Sequence, residues 1–473
     1  MKIEQIYTGC LAQGAYYIES KGEAVIIDPL REVGSYIEKA KADNAKIKYI
    51  FETHFHADFV SGHLDLAKKT GATIVYGPTA NPSFEVHVAE DNEVFKVGDV
   101  SIKLLHTPGH TMESSSLLLI DENGKDHALF SGDTLFIGDV GRPDLAQKVI
   151  ADLTQEKLAS YLFDSLRNRI MPLADDIIVY PAHGAGSSCG KNMSKETFDT
   201  LGNQKKTNYA LNLDLSREEF IKQVLDGLMP PPAYFPQNVM MNIQGYDSLD
   251  TVMERGKKAL SPEAFEMLAN ETGAIVIDTR SQAAFKHSFI PNSIFIGIDG
   301  SFASWVGTLI PDLKQEILIV ADPGREEEVI TRLARVGYDF SLGFLEGGLA
   351  AWEAAGNEVD TLASVTPEKF AELLKTADIK VLDVRKESEY QAQHIDYKNL
   401  INMPLDYISK QMEKVDNQQS YYVHCAGGYR SVIAASILKS RGFDKMIDVE
   451  QGFGGIQNTD VPTTAYVCPS TLL

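Results

Sequence analysis

The run THFHADF, residues 53–59, sets His54, His56 and Asp58 at alternate positions. Imidazole and carboxylate donors at this spacing form a divalent-cation pattern. A histidine at position 59 would complete an H-x-H-x-D-H run, which holds two metal ions side by side. Phe59 stands there instead, and a benzyl group cannot replace an imidazole. A tight second metal is therefore not expected. Three further positions offer donors of the same kind: His110 in SIKLLHTPGH, Asp133 in HALFSGD and His183 in DIIVYPAHG. A second chemistry lies near the other end. In VHCAGGYRSVIAASILKSRGF, Cys425 is followed by Ala426, Gly427, Gly428 and Tyr429, and then by Arg430. A thiol at the mouth of a helix meets the positive end of the dipole and a ring of backbone N–H groups, both of which stabilise a thiolate. Arg430 adds a cation, and the two glycines let the chain fold around the sulfur.

The elements that must position these residues are legible around them. KIKYIFETH, SIKLLHTPGH, HALFSGD and DIIVYPAHG each read as an apolar strand followed by a turn that carries His or Asp. Side chains at four strand ends can converge on one edge of a sheet. The opening MKIEQIYTGCLAQGAYYIESKGEAVIIDP reads as two strands and a turn. LMPPPAYFP, with Pro230, Pro231 and Pro232, forces an extended stretch, and a helical connector follows at about 248–260. The remainder repeats: LSPEAFEMLANETGAIVIDTR resembles VTPEKFAELLKTADIKVLDVR, pairing Pro262 with Pro367, Asp278 with Asp383 and Arg280 with Arg385. Two copies of one α/β domain with mainly parallel sheets are expected. The expected organisation is a metal domain at 1–235, a linker at 236–259 and repeats at 260–358 and 359–473. Val432, Ala435 and Leu438 give the helix after Cys425 one apolar face. Aligning the repeats sets Asp322, in VADPGREEEV, opposite Cys425. A carboxylate cannot do the chemistry of a thiolate, so the first repeat should space or pack its neighbours, and Glu326, Glu327 and Glu328 disfavour an anion there.

The 473 residues are 44% hydrophobic and 23% charged, which is ordinary for a globular protein. A formal net charge of −22 disfavours nucleic acid and anionic membrane as partners. There is no run of about 18 apolar residues for a membrane span, and Glu4 interrupts the start, which lacks a signal-peptide core. Cys10, Cys189, Cys425 and Cys468 are too few for a disulfide framework, so a reducing, cytoplasmic compartment is expected. Cys10 and Cys468 read as structural. Cys189, six residues after His183, has two open readings: a persulfide carrier beside the metal pocket, or a small side chain packed among glycines. His63 reads as a capping or packing residue, and His87, His106, His127 and His287 as surface residues.

The first block resembles the metallo-β-lactamase superfamily, a four-layer αββα sandwich. In its dinuclear members the first metal takes residues matching His54, His56 and His110. The second takes those matching Asp58, the missing histidine and His183, with Asp133 bridging. The stretch GDTLFIGDVGRPDL is most similar to the persulfide dioxygenase group. That resemblance implies one Fe(II) per chain on His54, His110 and Asp133, a facial triad with three open positions. His56, Asp58 and His183 would then aim the ligands or donate hydrogen bonds behind them; spacing alone leaves open whether His56 itself ligates. Arg142 would be a substrate anion clamp, with Cys189 also in the substrate pocket. The last block, with VLDVRKESEY and His394–Ile395, resembles the rhodanese sulfurtransferases, whose Cys-x4-Arg loop suits a sulfane sulfur on Cys425.

The whole order resembles bacterial persulfide dioxygenase–sulfurtransferase fusions. The implied reaction oxidises a low-molecular-weight persulfide, of glutathione, coenzyme A or a similar thiol, with O2 to sulfite. Cys425 would then pass a sulfane sulfur to sulfite, giving thiosulfate. A homo-oligomer, dimer or tetramer, is also implied. Two alternatives stay open: a glyoxalase II-like thioester hydrolase, and a non-enzymatic sulfur carrier or persulfide-binding scaffold.

Overall fold

The computed structural model describes residues 1–145, 153–228 and 230–467, so Cys468 lies outside the described residues. The chain forms two compact units. One contains Met1–Val252 with the short segments Pro311–Leu313 and Thr331–Asp339. The other contains Met253–Ile310, Lys314–Ile330 and Phe340–Leu473.

The first unit holds two six-stranded sheets. One runs in the order Lys2–Thr8, Gln13–Ser20, Glu23–Ile27, Lys46–Phe51, Thr73–Tyr76, His87–Val88. The other runs Asp199–Thr200, Ile178–Pro181, Asp126–Gly132, Ser115–Ile120, Val100–His106, Val94–Val97. Strand alternation sorts the side chains. Tyr16, Ile18, Val25 and Ile27 point between the sheets to meet Phe95, Ile102, Leu117 and Phe130. Ala15, Tyr17 and Ile26 point outward to a helical layer with Tyr36 and Leu66. On the opposite outer face, Leu118 and Leu129 pack on Leu162, Leu166 and Phe220. The result is the αββα sandwich. No helix among the described residues is long and apolar enough to cross a membrane.

The stretch expected as a linker, 236–259, holds two helices, Phe235–Gln244 and Leu249–Gly256, the second lying within the helical connector expected at about 248–260. Pro236 sits in the first turn, where a missing N–H leaves no hydrogen bond unmade. Val239 and Ile243 lean on the outer core of the first sheet, so this helix belongs to the metal unit. Thr331–Asp339 is joined to the same unit by Arg31. Its fully buried guanidinium pairs with Asp339 at 2.5 and 2.8 Å and donates to the carbonyls of Ala334 and Asp247. Arg335 O accepts from Val60 N at 2.7 Å, next to Phe59.

In the second unit each repeat forms a five-stranded parallel sheet with the same order. The first runs Ala259–Leu260, Ser341–Leu345, Ile317–Val320, Ile275–Asp278, Ile294–Phe295. The second runs Ala363–Val365, Met446–Val449, Tyr421–His424, Lys380–Asp383, Leu400–Asn402. Their register corrects the sequence alignment. Asp278 pairs with Val320, and its counterpart Asp383 pairs with His424. Ala321 therefore occupies the Cys425 position, and Asp322 matches Ala426. The first repeat's loop is one residue longer before its helix, which displaced the alignment. The repeat still lacks a thiol. The helix Tyr429–Lys439 is not amphipathic as expected, for Ser431 through Leu438 are all buried. Phe285, Phe289 and Phe295 of the first repeat share one core with Val432, Ile433 and Leu438, covering the face that would otherwise meet water.

Removing one partner of a buried ion pair leaves the other charge unmet. Arg31→Met should therefore cost the first unit about 3–5 kcal/mol in urea unfolding, with much of the loss recovered in Arg31→Met/Asp339→Leu. A loss below about 1 kcal/mol in the single variant would contradict the assignment.

Candidate functional site

His54, Asp133 and His183 sit just beyond the strands Lys46–Phe51, Asp126–Gly132 and Ile178–Pro181, and His110 lies in the turn after Val100–His106. Gly132 allows the first two to approach. It has φ of +54°, and a Cβ there would lie 2.7 Å from the Thr53 side chain. The donor atoms of His54, His110 and Asp133 all lie within 4.8 Å of one another. His110 Nε2 is 3.4 Å and His54 Nε2 3.8 Å from Asp133 Oδ2, while His183 Nε2 is 3.6 Å from Asp133 Oδ1 and 3.5 Å from Asp58 Oδ2.

Hydrogen bonding fixes which ring nitrogens are free. Thr53 Oγ1 donates to Asp28 Oδ2 at 2.8 Å, so toward His54 Nδ1, 3.0 Å away, it can only accept. His110 Nδ1 donates to Arg142 O at 2.8 Å and His183 Nδ1 to Ala12 O at 3.2 Å. Each ring thus carries its proton on Nδ1 and turns an Nε2 lone pair inward. Burial, then His56, His110 and His183, push the His54 pKa well below the ordinary imidazole value, keeping that lone pair available. His54 Nε2, His183 Nε2 and both Asp133 oxygens are buried with no hydrogen-bond partner among the described residues. Buried polar atoms are normally satisfied. Two neutral imidazoles and a carboxylate converging in this way fit a divalent cation.

Donor atoms of His56, Asp58 and His183 also lie within 4.8 Å of one another, and Phe59 stands where a further donor of that set would be. The Phe59 ring is fully buried and stacks on His56 at 4.3 Å. His56 Nε2 turns to Asp28 Oδ1 at 3.1 Å and Glu52 Oε2 at 3.4 Å. Burial opposes a charge on His56, yet Asp28 and Glu52 outweigh it and hold its pKa well above the usual imidazole range. Glu52 also accepts from Ser61 Oγ at 2.5 Å and lies 3.4 Å from His63 Nδ1, so His63 is a buried member of this network. Asp28 and Glu52 were not among the residues expected. Asp28 was findable, since it ends the apolar run AVII as Asp133 ends HALFSG. Asn242 gave no local signal. Its Nδ2 donates to His56 O at 2.8 Å and Phe59 O at 2.9 Å, and its Oδ1 accepts from Ser61 N at 3.0 Å. It holds the ligand loop on both sides of Phe59.

Arg142 is buried, and its guanidinium forks onto Asp144 at 2.6 and 2.7 Å. Its carbonyl orients His110, and its charge bears on the neighbouring Cys189 thiol. Cys189 does join the cluster, within 4.8 Å of donor atoms of Asp133 and His183. Burial, then Asp58 and Asp133, push its thiol well up, so the thiol keeps its proton. Beside His110 opens a largely apolar cavity of about 340 Å3, walled by Phe55, Ala57, Met112, Leu145, Val239 and Ile243.

In the other unit, Cys425 is 1% exposed and accepts from Gly428 N at 3.1 Å. Gly452 (φ +55°) closes over it; a Cβ there would fall 2.4 Å from Cys425 O. Arg430 is close by, but both terminal nitrogens are engaged with Glu389 at 2.6 and 2.8 Å. Burial opposes ionisation of Glu389, and Arg430 outweighs it, holding the carboxyl below its usual range. The donor seen on sulfur is therefore the Gly428 backbone N–H in the glycine-containing turn of Ala426, Gly427 and Gly428 that leads to Tyr429.

Residues 8–183 match the metallo-beta-lactamase superfamily, and residues 261–355 and 366–459 each match the rhodanese-like domain. A crystal structure of a metallo-beta-lactamase from Staphylococcus aureus subsp. aureus COL is 33% identical, with a TM-score of 0.64 over 73% of this chain and 98% of that one. The chain belongs to the metallo-beta-lactamase superfamily and carries two rhodanese-like domains behind that fold. A probable hydroxyacylglutathione hydrolase of Schizosaccharomyces pombe is 32% identical over 37% of this chain, which spans 65% of that protein. A mitochondrial persulfide dioxygenase of Homo sapiens is 28% identical over 47% of this chain and 80% of its own length.

Outer residues that fix a ligand loop typically change metal affinity by about 10–100-fold. Asn242→Ala should weaken metal retention by about tenfold in a competition with a chelator. Unchanged retention in a folded variant would show that the loop holds itself.

Proposed function

We propose that this protein is a persulfide dioxygenase coupled to a sulfurtransferase. The observation that carries the reading is the Phe59–His56 stack. Phe59 fills the place of a second-metal ligand while His56 Nε2 meets Asp28 and Glu52, so His54, His110 and Asp133 are read as the set for one tightly held ion and His56, Asp58 and His183 are left one donor short. A hydrolase that activates water between two ions needs both positions. A two-histidine, one-carboxylate site suits Fe(II), which supplies redox activation of O2 when bound.

The residues around it account for the substrate. The apolar cavity beside His110 takes the carbon arm of R–S–SH and excludes water from its sulfur. Glutathione, coenzyme A and related thiols would all present such an arm. Orientation of His54 and His110 through their Nδ1 protons keeps both Nε2 atoms on the reacting side. The overall change is R–S–SH + O2 + H2O to R–SH, sulfite and two protons. In the second unit the Cys425 thiolate attacks the outer sulfur of a persulfide, forming Cys425–S–SH as R–S⁻ leaves. The Gly428 N–H meets negative charge on Sγ. Sulfite attacks the outer sulfur, thiosulfate departs with one proton released, and the thiolate returns.

Thioester hydrolysis is the second reading. It is favoured by the Asp58–His183 pair beside Asp133 and by the name of the yeast relative. O2 consumption by Fe(II)-loaded protein, with glutathione persulfide and separately coenzyme A persulfide, separates the two readings when sulfur products are quantified in the same run. We expect O2 uptake and thiosulfate from the intact protein. Cys425→Ser should retain the uptake and yield sulfite. No uptake by iron-loaded protein, with hydrolysis of an S-acyl glutathione, would favour the second reading.

A further inference from the structure

The repeat that lacks a thiol sends a lysine toward the thiol of its neighbour. Lys286, on the helix Gln282–His287, places Nζ 3.0 Å from Asp448 Oδ2 and 3.3 Å from Glu450 Oε1. Asp448 is 1% exposed, in the strand Met446–Val449. Its other oxygen, Oδ1, accepts from Ser431 Oγ at 2.7 Å. Ser431 is fully buried in the helix after the loop, and its oxygen in turn accepts from Cys425 Sγ at 3.7 Å. The line of atoms is continuous: Sγ–H to Ser431 Oγ–H to Asp448 Oδ1, with Lys286 on the far oxygen.

A hydroxyl has one proton to give. Here Ser431 gives it to Asp448, so Ser431 turns only lone pairs to the sulfur, and the Gly428 N–H on another side is the donor there. That orientation of Ser431 suits a thiol and is wrong for a thiolate. It reverses if both protons move one place together. We propose that Ser431 and Asp448 form the route by which the Cys425 thiol proton leaves, and that Lys286 of the thiol-less repeat keeps its end open. The proton on Sγ passes to Ser431 Oγ as the Ser431 proton passes to Asp448 Oδ1. The thiolate is left accepting from Ser431 O–H, and Asp448 is left as a neutral acid. No charge is created or lost overall. Cys425 is sealed from water, so a fixed internal acceptor matters.

Ser431 touches the reacting sulfur. Asp448 and Lys286 act through it and are positioning residues. Burial and Glu450 favour a neutral Asp448; Ser431 and Lys286 oppose them, and the net shift is upward. The other charged groups near the sulfur do not supply an acceptor. Arg430 is bound to Glu389, and His424 faces Asp383 at 3.8 Å and the Cys425 carbonyl. The two repeats are also fastened where the relay needs rigidity: Tyr429 Oη donates to Gly297 O at 2.7 Å, and Phe295 N donates to Ser436 Oγ at 3.0 Å.

The inference deepens the sulfurtransferase reading and rests on it for its purpose, but its test needs no sulfur transfer. In full-length protein, the ultraviolet thiolate band is recorded against pH as the difference between each protein and its Cys425→Ser counterpart. A pair sharing one proton keeps a constant thiolate fraction between its two macroscopic steps. Wild type should therefore show a plateau between two steps. Asp448→Asn should lose the plateau and rise continuously, and Ser431→Ala should do the same. Lys286→Met should move the acid edge of the plateau upward by about one pH unit, and Lys286→Arg should restore it. The rate of Cys425 alkylation by iodoacetamide, read on its peptide, should follow the same profiles. Parallel curves for wild type and Asp448→Asn would overturn the proposal, as would a Lys286→Met curve superimposed on wild type. A plateau in protein that transfers no sulfur would leave the relay standing and remove the transferase reading.

Discussion

Asp133 places two buried carboxylate oxygens with no hydrogen-bond partner among the described residues at the strand ends, with His54, His110 and His183 turned toward it. A buried carboxylate is costly unless a cation meets it. Much of the first unit arranges donors about that requirement. Thr53, Arg142 and Ala12 each give an oxygen to one imidazole Nδ1, which commits all three Nε2 lone pairs inward. Gly132 removes the side chain that would keep the two strand ends apart. Farther out, Asn242 holds the loop that carries the ligands.

The same electrostatic demand explains the neighbouring position. Where a second cation would sit beside Asp58 and His183, the loop carries Phe59. His56 turns to the buried acids Asp28 and Glu52 and is closed off by the aromatic ring. Buried negative charge that a metal could have balanced is met by an imidazole. In the second unit charges are also met in pairs: Arg430 by Glu389, and Asp448 by Lys286. The repeat without a cysteine is thus more than filler. It completes the core around the thiol helix and supplies a cation two residues of relay away from the sulfur.

What the sequence revealed follows from how local each signal is. His54, His110, Asp133 and His183 were visible because each ends or closely follows an apolar strand, and Cys425 because its loop and helix are contiguous. The doubled α/β domain was legible from repetition, and the sandwich was expected from the resemblance to the metallo-β-lactamase superfamily. Asn242, 181 to 186 residues from its partners, carries no pattern that names its target, and neither does Arg31, which finds Asp339 308 residues away. The helix Phe235–Gln244 was hidden behind a proline run that does break structure, just ahead of it. Asp322 was set opposite Cys425 because a one-residue difference in loop length is invisible until strand register fixes Ala321 there. Arg142 was named as a site residue for its charge, and the fold adds that its carbonyl orients His110.

The proposed function puts one metal ion on His54, His110 and Asp133, with Phe59 in place of a second-site ligand. The most direct measurement is a count of metal sites by anomalous diffraction from crystals of iron-loaded protein, with Phe59→His alongside. The account predicts one peak in the wild type, among those three residues, and a second peak beside Asp58 and His183 in the variant. Two fully occupied peaks in the wild-type crystal would contradict it.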